Sequence, residues 1–326
     1  MMLASYISAP ELTAAYVDEV WRTLPDFVRP TLLLPASRLT TILGCELTIA
    51  SETLQHTGSF KFRAAYNLLS QVPHTQIMTA SSGNFGQAVA YACQLLNKSC
   101  TVVMPDTSAQ VKVAAVQAFG GTVDLVDVRK VSRTERVKQL LEKTEDGFWA
   151  QAYDDYRVVT GNSTLGYEIF SADRFDTLVV PIGGGGLSAG TVVARDHMGL
   201  STEIIGAEPI PGNDAARSLR SKTLLSNEME AATIADGART LSLGQINWDI
   251  LRSGLADIVE VPDTATLEAL RQYFLYCNLK VEPTGALALG AILTQPERFK
   301  GKRVCCIVSG GNVDPAVYAQ ALTNSL

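Results

Sequence analysis

The sequence predicts an α/β fold with two lobes, and two runs of alternating elements carry this prediction. Short apolar strands alternate with turns and helices over residues 76–145, and a second set runs over residues 177–308 of the 326-residue chain. Such alternation is typical of parallel sheets with helical crossovers. We therefore expect a smaller lobe at residues 76–152, inserted in a larger lobe formed by residues 1–75 and 153–326.

Composition and charge exclude several classes of protein. Hydrophobic residues make up 47% of the chain and charged residues 18%, which suits a globular protein of about two domains. The net charge of -6 and the lack of a basic cluster argue against a nucleic-acid partner. No uninterrupted apolar run has the length of a membrane span. The six cysteines show no framework spacing and no signal peptide precedes them, so we expect reduced thiols in a cytoplasmic protein.

The elements before the first alternating run follow from local patterns. Apolar positions at helical spacing predict an N-terminal helix over residues 10–24, and three prolines mark the connecting segment that ends at Pro35. Residues 46–50 are typical of a short strand. Ser59 fits the N-cap of the next helix. The buried face of that helix would carry Phe60, Ala64, Ala65, Leu68 and Leu69.

In the alternating runs, each predicted strand precedes a turn and a helix. The smaller lobe has strand–turn–helix units at residues 77–96, 100–121 and 122–145. The larger lobe has predicted strands at residues 177–182, 203–208, 258–261 and 303–308.

Lys61 is the first candidate for chemistry. It follows a Thr-Gly-Ser turn at the start of a predicted helix, and no acidic residue lies between Glu52 and Asp106. The positive end of the helix dipole and burial both disfavour an ammonium group, so the pKa of Lys61 should be lowered. A lysine in this state is an amine nucleophile. An exposed lysine at a helix start is the alternative, and three further segments favour the first interpretation.

Four consecutive glycines, at residues 183–186, form the strongest of these segments. They follow an apolar strand and precede a helix, so their N–H groups can turn toward one anion at the helix N-terminus. This pattern predicts a phosphate cradle. It is not a P-loop, and it matches the dinucleotide-binding pattern only loosely. The alternative is a flexible glycine linker, which the flanking strand and helix disfavour.

Two polar turns complete the set. The turn at residues 81–87, Ser-Ser-Gly-Asn-Phe-Gly-Gln, offers hydroxyl, amide and N–H groups that suit a carboxylate or a phenolic oxygen. Ser309 opens Ser-Gly-Gly-Asn at the end of the last apolar strand, where side chains point into the ligand crevice of α/β sheets. Taken singly, a helix cap and a plain turn are the alternatives.

In this order and spacing, the motifs resemble those of the fold-type II pyridoxal-phosphate enzymes, within the serine/threonine dehydratase and serine racemase family. The resemblance covers about residues 31–314. Residues 233–240, TIADGART, and 281–286, VEPTGA, favour the dehydratase and racemase branch over cysteine synthases. The resemblance implies two open twisted sheets with helices on both faces, as in the tryptophan synthase β fold, and pyridoxal 5′-phosphate as cofactor.

The resemblance also implies roles for individual residues. Lys61 would bind the cofactor covalently and act as acid and base at one face of the substrate, while Ser82 takes the place of the opposite-face base of racemases. Asn84 would hydrogen-bond the phenolic oxygen of the cofactor, and Ser309 its ring nitrogen. The other implied cofactor-binding residues are Phe60, Gly183, Gly184, Gly185, Gly186 and Leu187. The implied substrate-binding residues are Ser81, Ser82, Gly83, Phe85, Arg133 and Tyr153.

Two of the implied sites have structural alternatives. Arg133 matches a substrate-carboxylate arginine of serine racemases, but it also suits a solvated helix face beside Glu135 and Arg136. Glu208, Asp214 and the carbonyl of Gly212 resemble the divalent-cation site of this branch, which binds Mg²⁺, Ca²⁺ or Mn²⁺. Alternatively, Arg217 or Arg220 satisfies the two carboxylates.

The resemblance also implies an oligomeric state, because the usual state of the family is a homodimer.

The implied reaction is elimination of the β-hydroxyl of a serine- or threonine-type amino acid, giving a 2-keto acid and ammonia. Racemisation and β-replacement are the alternative reactions, and a silent binding protein is disfavoured because it has no need for Lys61.

The sequence departs from the family pattern in four places, while the cofactor positions are intact. These are Phe85 where His is usual, Gln151-Ala152 for His-Pro, Asn162-Ser163-Thr164 for Gln-Gly-Thr, and Ala64 for Gly. We therefore expect a non-standard substrate, larger or more apolar than serine, or a biosynthetic role.

Overall fold

The computed structural model describes residues 12–81 and 83–323. Within these residues, ten strands form two sheets. The strands are β1 (Leu32–Pro35), β2 (Glu46–Ser51), β3 (Gln76–Ala80), β4 (Ser99–Pro105), β5 (Thr122–Val126), β6 (Gly147–Trp149), β7 (Thr177–Pro181), β8 (Glu203–Pro209), β9 (Asp257–Val261) and β10 (Arg303–Val308).

Helices lie between the strands in the predicted alternation. They are α1 (Ala14–Thr23), α2 (Ser37–Leu43), α3 (Lys61–Ser70), α4 (Asn84–Leu95), α5 (Gln110–Ala118), α6 (Arg133–Leu141), α7 (Tyr156–Ala172), α8 (Gly186–His197), α9 (Asp214–Ser221), α10 (Gln245–Gly254), α11 (Asp263–Cys277), α12 (Pro283–Thr294), α13 (Pro296–Phe299) and α14 (Pro315–Thr323). The predicted α/β fold class is therefore confirmed.

The larger sheet brings three candidate segments to one edge. Its strand order is β1-β2-β10-β7-β8-β9, with β1 antiparallel to β2 and the other neighbours parallel. Because β2, β10 and β7 run in the same direction, their carboxyl ends share an edge. The chain leaves these ends toward Lys61, Ser309 and the glycines at residues 183–186, respectively.

The smaller sheet is entirely parallel, in the order β5-β4-β3-β6. Its strands lie within residues 76–149, and the carboxyl end of β3 leads through Ser81 to the start of α4 at Asn84. The division into two domains, with residues 76–152 as the mobile one, stays a prediction.

Two local predictions were wrong or incomplete. Ser59 is not an N-cap: its backbone is extended and bridges to Gly310, while Phe60 already has helical φ and ψ and occupies the cap position. Strand β1 was missed because the prolines at positions 25, 30 and 35 suggested a connecting segment, although only Pro35 lies in the strand. Proline is tolerated at the edge of a sheet, and β1 is an edge strand that ends at Pro35.

The cysteines and helices agree with the composition. All six cysteines are free, and five of them are buried. Among the described residues, no helix combines the length and apolar character that a bilayer crossing needs.

Helix α3 packs between α4 and α7. The predicted buried face is confirmed, because Phe60, Ala64, Ala65, Leu68 and Leu69 are at most 7% exposed. The helix contacts α4 on one side and α7 on the other. Its apolar residues share a core with Ile77 of β3 and Val102 of β4. Lys61, as the first residue of α3, is therefore placed by the packing of this helix against α4 and α7.

A buried ion network fixes this helix. Arg63 is 0% exposed and donates to both carboxylate oxygens of Glu52, at 2.8 and 3.0 Å, and to Glu168 at 2.7 and 3.1 Å. The same N–H groups also lie within hydrogen-bond distance of Thr31, Thr164 and the carbonyl of Arg29, so the five donors share seven contacts. All partners of the guanidinium are thus supplied by the loop after β2, by α7 and by the segment before β1.

We expect Arg63→Met to lower the free energy of unfolding by about 3–5 kcal/mol, because it leaves Glu52 as a buried charge without a partner. Denaturant unfolding measures this loss. Arg136→Met is the matched control, since the Arg136–Asp124 pair is partly exposed and should matter little. Equal stability of the two variants would contradict the assignment.

Candidate active site

Lys61 lies in apolar surroundings. Its Nζ is 4.8 Å from the ring centre of Phe60 and 5.9 Å from that of Phe85, and it donates to the carbonyl of Ala152 at 3.5 Å. Burial lowers the pKa of Lys61 to about 8, although the carboxylate of Glu282 opposes this shift. Roughly a tenth of the lysine is therefore the neutral amine at pH 7, far more than for an exposed lysine.

The turn before Lys61 has an unusual backbone. Thr57 has a φ of 61° and Gly58 a φ of 75°, so two successive residues are left-handed. A Cβ at Gly58 would collide with the side-chain oxygen of Asn312. This turn therefore requires glycine at position 58 and is held by the segment after β10.

The glycine loop at residues 183–186 joins β7 to the N-terminus of α8. Gly185 has a φ of 90°, and a Cβ at Gly183 would lie 2.8 Å from the carbonyl oxygen of Gly237. The carbonyl of Gly184 accepts from the backbone N–H of Gly244 and from Nδ2 of Asn247, at 3.1 and 2.7 Å. With this acceptor occupied, the N–H groups at the helix start are the polar groups that suit an anion.

Tyr153 covers the glycine loop. A Cβ at Gly184 would collide with the ring of Tyr153, and one at Gly186 would lie 3.2 Å from its carbonyl oxygen. Leu187 is the second residue of α8, and its side chain is buried in a hydrophobic core that includes Leu243 and Leu251. Only its backbone is thus suited to contact a cofactor.

Ser309 fits the position predicted for it. It follows β10 directly and is 2% exposed, and its hydroxyl oxygen has no hydrogen-bond partner among the described residues. Its carbonyl accepts from the N–H of Phe60 at 3.0 Å, which ties it to the residue before Lys61. A buried hydroxyl without a partner suits a ligand atom such as a ring nitrogen.

Asn84 is held by two residues that the sequence analysis did not assign. Its Nδ2 donates to both carboxylate oxygens of Glu282 at 2.9 Å, and its Oδ1 accepts from Nδ2 of Asn312 at 2.9 Å. Burial raises the pKa of Glu282 to about 7, and the bonds from Asn84 oppose the rise. Glu282 lies within VEPTGA, which indicated the branch of the family but gave no role to the glutamate.

The serine turn is only partly described. The hydroxyl of Ser81 accepts from the N–H groups of Gly83 and Gly86, at 3.4 and 3.1 Å, so it supports the start of α4. Ser82 lies outside the described residues. Phe85 is 2% exposed and faces Lys61, which gives the amine an apolar neighbour where the family pattern has a histidine.

Two of the four departures belong to helix packing and not to a substrate shell. Ala64 is fully buried in α3. In α7, Ser163 accepts from Trp21 and Thr164 accepts from Arg63. Ala64 and Thr164 lie at the contact of α3 with α7, and Ser163 ties α1 to α7 through Trp21, so helix packing explains these residues.

Arg133 lies beside a groove and not among the residues around Lys61. It forms an ion pair with Glu230 at 2.7 Å, and Arg136 pairs with Asp124. The side chains of Arg133 and Arg136 are 29% and 32% exposed and Glu135 is exposed, so a solvated helix face stays an alternative to substrate binding. The groove has a volume of about 640 Å³, and Arg133 lines it together with Lys112, Arg239, Glu230 and several smaller residues.

The groove adjoins the glycine loop through one short segment. Lys112 donates to Asp236 at 2.7 Å, and the next residue, Gly237, approaches Gly183. Gly237 also donates its N–H to Thr284 at 2.9 Å. The groove is therefore a neighbour of the candidate cofactor site.

Glu208 and Asp214 lie close together, and neither forms an ion pair among the described residues, although Arg217 is near enough to oppose the rise in the pKa of Asp214. The carboxylate of Glu208 accepts from the N–H groups of Ala215 and Ala216 at 2.9 and 2.8 Å. Asp214 accepts from Asn227 at one oxygen, and its buried second oxygen has no partner among the described residues. Burial raises the pKa of Glu208 to about 8 and that of Asp214 to about 7.

The alternative arginine pairing of these carboxylates is not observed among the described residues. Arg220 pairs with Glu260, and Arg217 donates to Asn227. No cluster of three or more His, Cys, Asp or Glu side chains suited to a metal occurs in the described part of the chain. Any cation here would thus depend on two carboxylates and backbone oxygens.

The residues present fit pyridoxal 5′-phosphate. The amine of Lys61 suits its aldehyde, the glycine loop at the start of α8 suits its phosphate, and the unpartnered hydroxyl of Ser309 suits its ring nitrogen. These groups meet at the carboxyl edge of the larger sheet, where α/β folds bind ligands.

Comparison with known families agrees with this fit. The family described as pyridoxal-phosphate dependent enzyme matches residues 24–310. The chain belongs to this family, and the resemblance drawn from its motifs is confirmed.

Individual relatives narrow the comparison. The chain is 36% identical to an L-threo-3-hydroxyaspartate ammonia-lyase of a Pseudomonas species, over 92% of this chain and 95% of that protein. It is 35% identical to a serine racemase of Schizosaccharomyces pombe, over 91% and 93%. The structure of maize serine racemase superposes with a TM-score of 0.89 at 28% identity, covering 95% of this chain and 96% of that one.

We expect Lys61 in the cofactor-free protein to react with an amine-acylating reagent along a pH curve with its midpoint near 8, because the ammonium form predominates below that pH and the reactive amine above it. Ordinary exposed lysines should keep gaining reactivity up to about pH 10.4. Mass spectrometry of the peptide that contains Lys61 gives the curve. A midpoint near 10 would contradict the apolar environment described here.

Proposed function

We propose that the protein is a pyridoxal-phosphate-dependent dehydratase, or ammonia-lyase, which eliminates the β-hydroxyl of a hydroxy amino acid to give a 2-keto acid and ammonia. The observation that carries this proposal is the pairing of an amine of lowered pKa, Lys61, with a hydroxyl, Ser309, at the position for the ring nitrogen. The similarity to proteins named as ammonia-lyases supports it.

Lys61 performs the proton transfers. The cofactor, when bound, supplies an electron-withdrawing group that weakens the Cα–H bond of the substrate. The amine of Lys61 takes the Cα proton and gives a proton to the β-hydroxyl, which leaves as water. Hydrolysis of the released enamine consumes that water and gives the keto acid and ammonia. The rings of Phe60 and Phe85 give the amine apolar neighbours, and burial disfavours its ammonium form, so more of it is a base at neutral pH than for an exposed lysine.

Ser309 biases the outcome toward elimination. A hydroxyl does not hold a proton at the ring nitrogen as a carboxylate does, so less charge from Cα moves into the ring. Loss of the β-hydroxyl is then favoured over transamination. The glycine loop would hold the phosphate, and Asn84 would hold the phenolic oxygen.

The favoured substrate class is a 3-hydroxy dicarboxylic amino acid. Three cationic side chains, Lys112, Arg133 and Arg239, line the groove beside the glycine loop, against one glutamate. Asp236 and Glu230 pair with Lys112 and Arg133, so a second carboxylate of the substrate would bind Arg239 or replace Glu230 at Arg133. The Pseudomonas relative is named for L-threo-3-hydroxyaspartate. A more apolar substrate, which Phe85 alone would favour, is the competing possibility.

Racemisation is the second candidate, because the chain is 35% identical to a serine racemase. Lys61 would serve one face of Cα and Ser82 the other. The two reactions differ in their products, which are a keto acid with ammonia in one case and the enantiomer in the other.

A divalent cation is proposed at Glu208, Asp214 and the carbonyl of Gly212. The unpartnered buried oxygen of Asp214 and the adjoining carboxylate of Glu208 suit a hard cation such as Mg²⁺. Because the pKa of both groups is raised in its absence, a cation would relieve the burial of their charge.

Three further features complete the proposal. The protein would act as a homodimer, with residues 76–152 as a mobile lobe that closes on the substrate. A cytoplasmic location is supported by the six free cysteines, since disulfides are rare in that compartment.

We expect L-threo-3-hydroxyaspartate to give the highest kcat/KM among this amino acid, L-serine, L-threonine and phenylserine, with oxaloacetate and ammonia as products. Arg133→Met should lower kcat/KM for the dicarboxylate about tenfold more than for serine, because it removes one charged contact. Arg136→Met, on the same helix, is the control. Keto acid assays measure the products.

The outcomes of this assay are distinct. Serine as the best substrate would contradict the dicarboxylate class, and phenylserine as the best would favour the apolar alternative. Formation of the enantiomer without keto acid would replace dehydration by racemisation. A Lys61→Ala variant that still forms keto acid would overturn the proposed mechanism.

We expect millimolar Mg²⁺ to raise the melting temperature of the protein by roughly 2–4 °C, because a cation that binds only the folded state stabilises it. Asp214→Asn should abolish this rise while keeping the bond from Asn227. Potassium chloride at equal ionic strength is the control. No response of the unmodified protein to Mg²⁺, Ca²⁺ or Mn²⁺ would remove the metal site.

A further inference from the structure

We propose that Asn312 is a positioning residue for the bound cofactor, because it fixes both the orientation of the Asn84 amide and the turn that precedes Lys61. This inference rests on the proposed role of Asn84 as the partner of the phenolic oxygen. It gives a function to the last residue of the Ser-Gly-Gly-Asn motif, which the sequence analysis used only as a family signature.

The orientation of Asn312 follows from the chemistry of its partners. Its Nδ2 donates to the backbone carbonyl of Thr57 at 2.6 Å and to Oδ1 of Asn84 at 2.9 Å. A carbonyl oxygen can only accept, so the nitrogen of the Asn312 amide must face Thr57. Both hydrogens of this NH₂ group are thereby used.

The orientation of Asn84 then follows from that of Asn312. Because Asn312 presents a donor, Asn84 must present its oxygen there and its NH₂ group on the other side. That NH₂ group meets the two carboxylate oxygens of Glu282, each at 2.9 Å. The two oxygens of one carboxylate lie too close together to take one hydrogen each, so they share one hydrogen and the second stays available for the phenolic oxygen. A flipped Asn84 would place its oxygen against a carboxylate and its NH₂ against another NH₂, so both contacts would become repulsive.

Glu282 is fixed at the far end of this chain of bonds. It is 4% exposed, and its N–H donates to the carbonyl of Gly310 at 3.1 Å. A Cβ at Gly310 would lie 2.8 Å from Oε1 of Glu282, so the residue after Ser309 leaves room for the carboxylate only as glycine. The carboxylate therefore packs directly against the backbone next to Ser309.

The same amide also supports the lysine turn. Thr57 is a non-glycine residue with a φ of 61°, and its carbonyl accepts the shorter of the two hydrogen bonds that Asn312 donates. Such a backbone costs free energy unless its surroundings hold it. Asn312 thus couples the segment that delivers Lys61 to the amide that would bind the phenolic oxygen, although 255 residues separate Thr57 from Asn312.

The proposal predicts a selective effect on cofactor binding. Asn312→Asp keeps the size of the side chain but replaces the donor by an acceptor, which faces the oxygens of Thr57 and Asn84. Full-length protein is freed of cofactor and titrated with pyridoxal 5′-phosphate or with its analogue that lacks the phenolic oxygen. The ratio of the two dissociation constants measures the contribution of the phenolic contact.

We expect the unmodified protein to prefer pyridoxal 5′-phosphate about tenfold, the size of one hydrogen bond, and Asn312→Asp to bring this ratio close to one. Asn97→Asp, at an exposed position of positive φ, is the control for the added charge and should keep the ratio. Asn312→Ala removes both donor bonds without adding charge and should also bring the ratio close to one. It replaces the aspartate variant should that variant not fold.

Failure of this inference differs from failure of the role of Asn84. If Asn84→Ala abolishes the preference and both Asn312 variants keep it, Asn312 does not position Asn84. If the Asn312 variants weaken both cofactors equally, Asn312 is merely structural. If Asn84→Ala itself keeps the preference, the phenolic contact lies elsewhere and the proposed role of Asn84 is wrong.

Discussion

The buried guanidinium of Arg63 is the constraint on which the arrangement around Lys61 depends. An amine in an apolar site does not add to the stability of the fold, because its burial costs free energy. Another interaction must therefore hold the helix that carries it. Arg63 stands two residues after Lys61 and binds Glu52, at the end of β2, and Glu168 of α7. The reactive group is thus destabilised as a cation, while its neighbour is stabilised as one.

Much of the fold and of the site follows from local sequence, as three particular cases illustrate. Strand β10 begins and ends at the predicted residues. A short apolar run between polar turns is typical of a buried strand, so its ends could be predicted. The glycine loop was predicted since consecutive glycines between strand and helix have a clear physical use. The motif order placed Lys61, Asn84 and Ser309 in one site, although the sequence alone gives no distances.

What the sequence could not supply depends on contacts between distant segments. Glu282 and Asn312 are linked to Asn84 across about 200 residues, and nothing in their local patterns marks them as partners. Ser59 was assigned as a cap because its residue type fits, but the bridge to Gly310 holds it extended. The residues at 162–164 differ from the family pattern, and only the packing of α7 shows that they bind helices together.

The carbonyl of Ala152 contacts the amine of Lys61, and the ring of the next residue, Tyr153, rests on the glycine loop. These two adjacent residues therefore touch both ends of the space that a cofactor would fill. Two adjacent residues span a nearly fixed distance. Ala152 and Tyr153 therefore set the separation between the amine of Lys61, the proposed covalent anchor, and the glycine loop, the proposed phosphate site. An insertion between them would leave each half of the site chemically complete and yet out of register with the other.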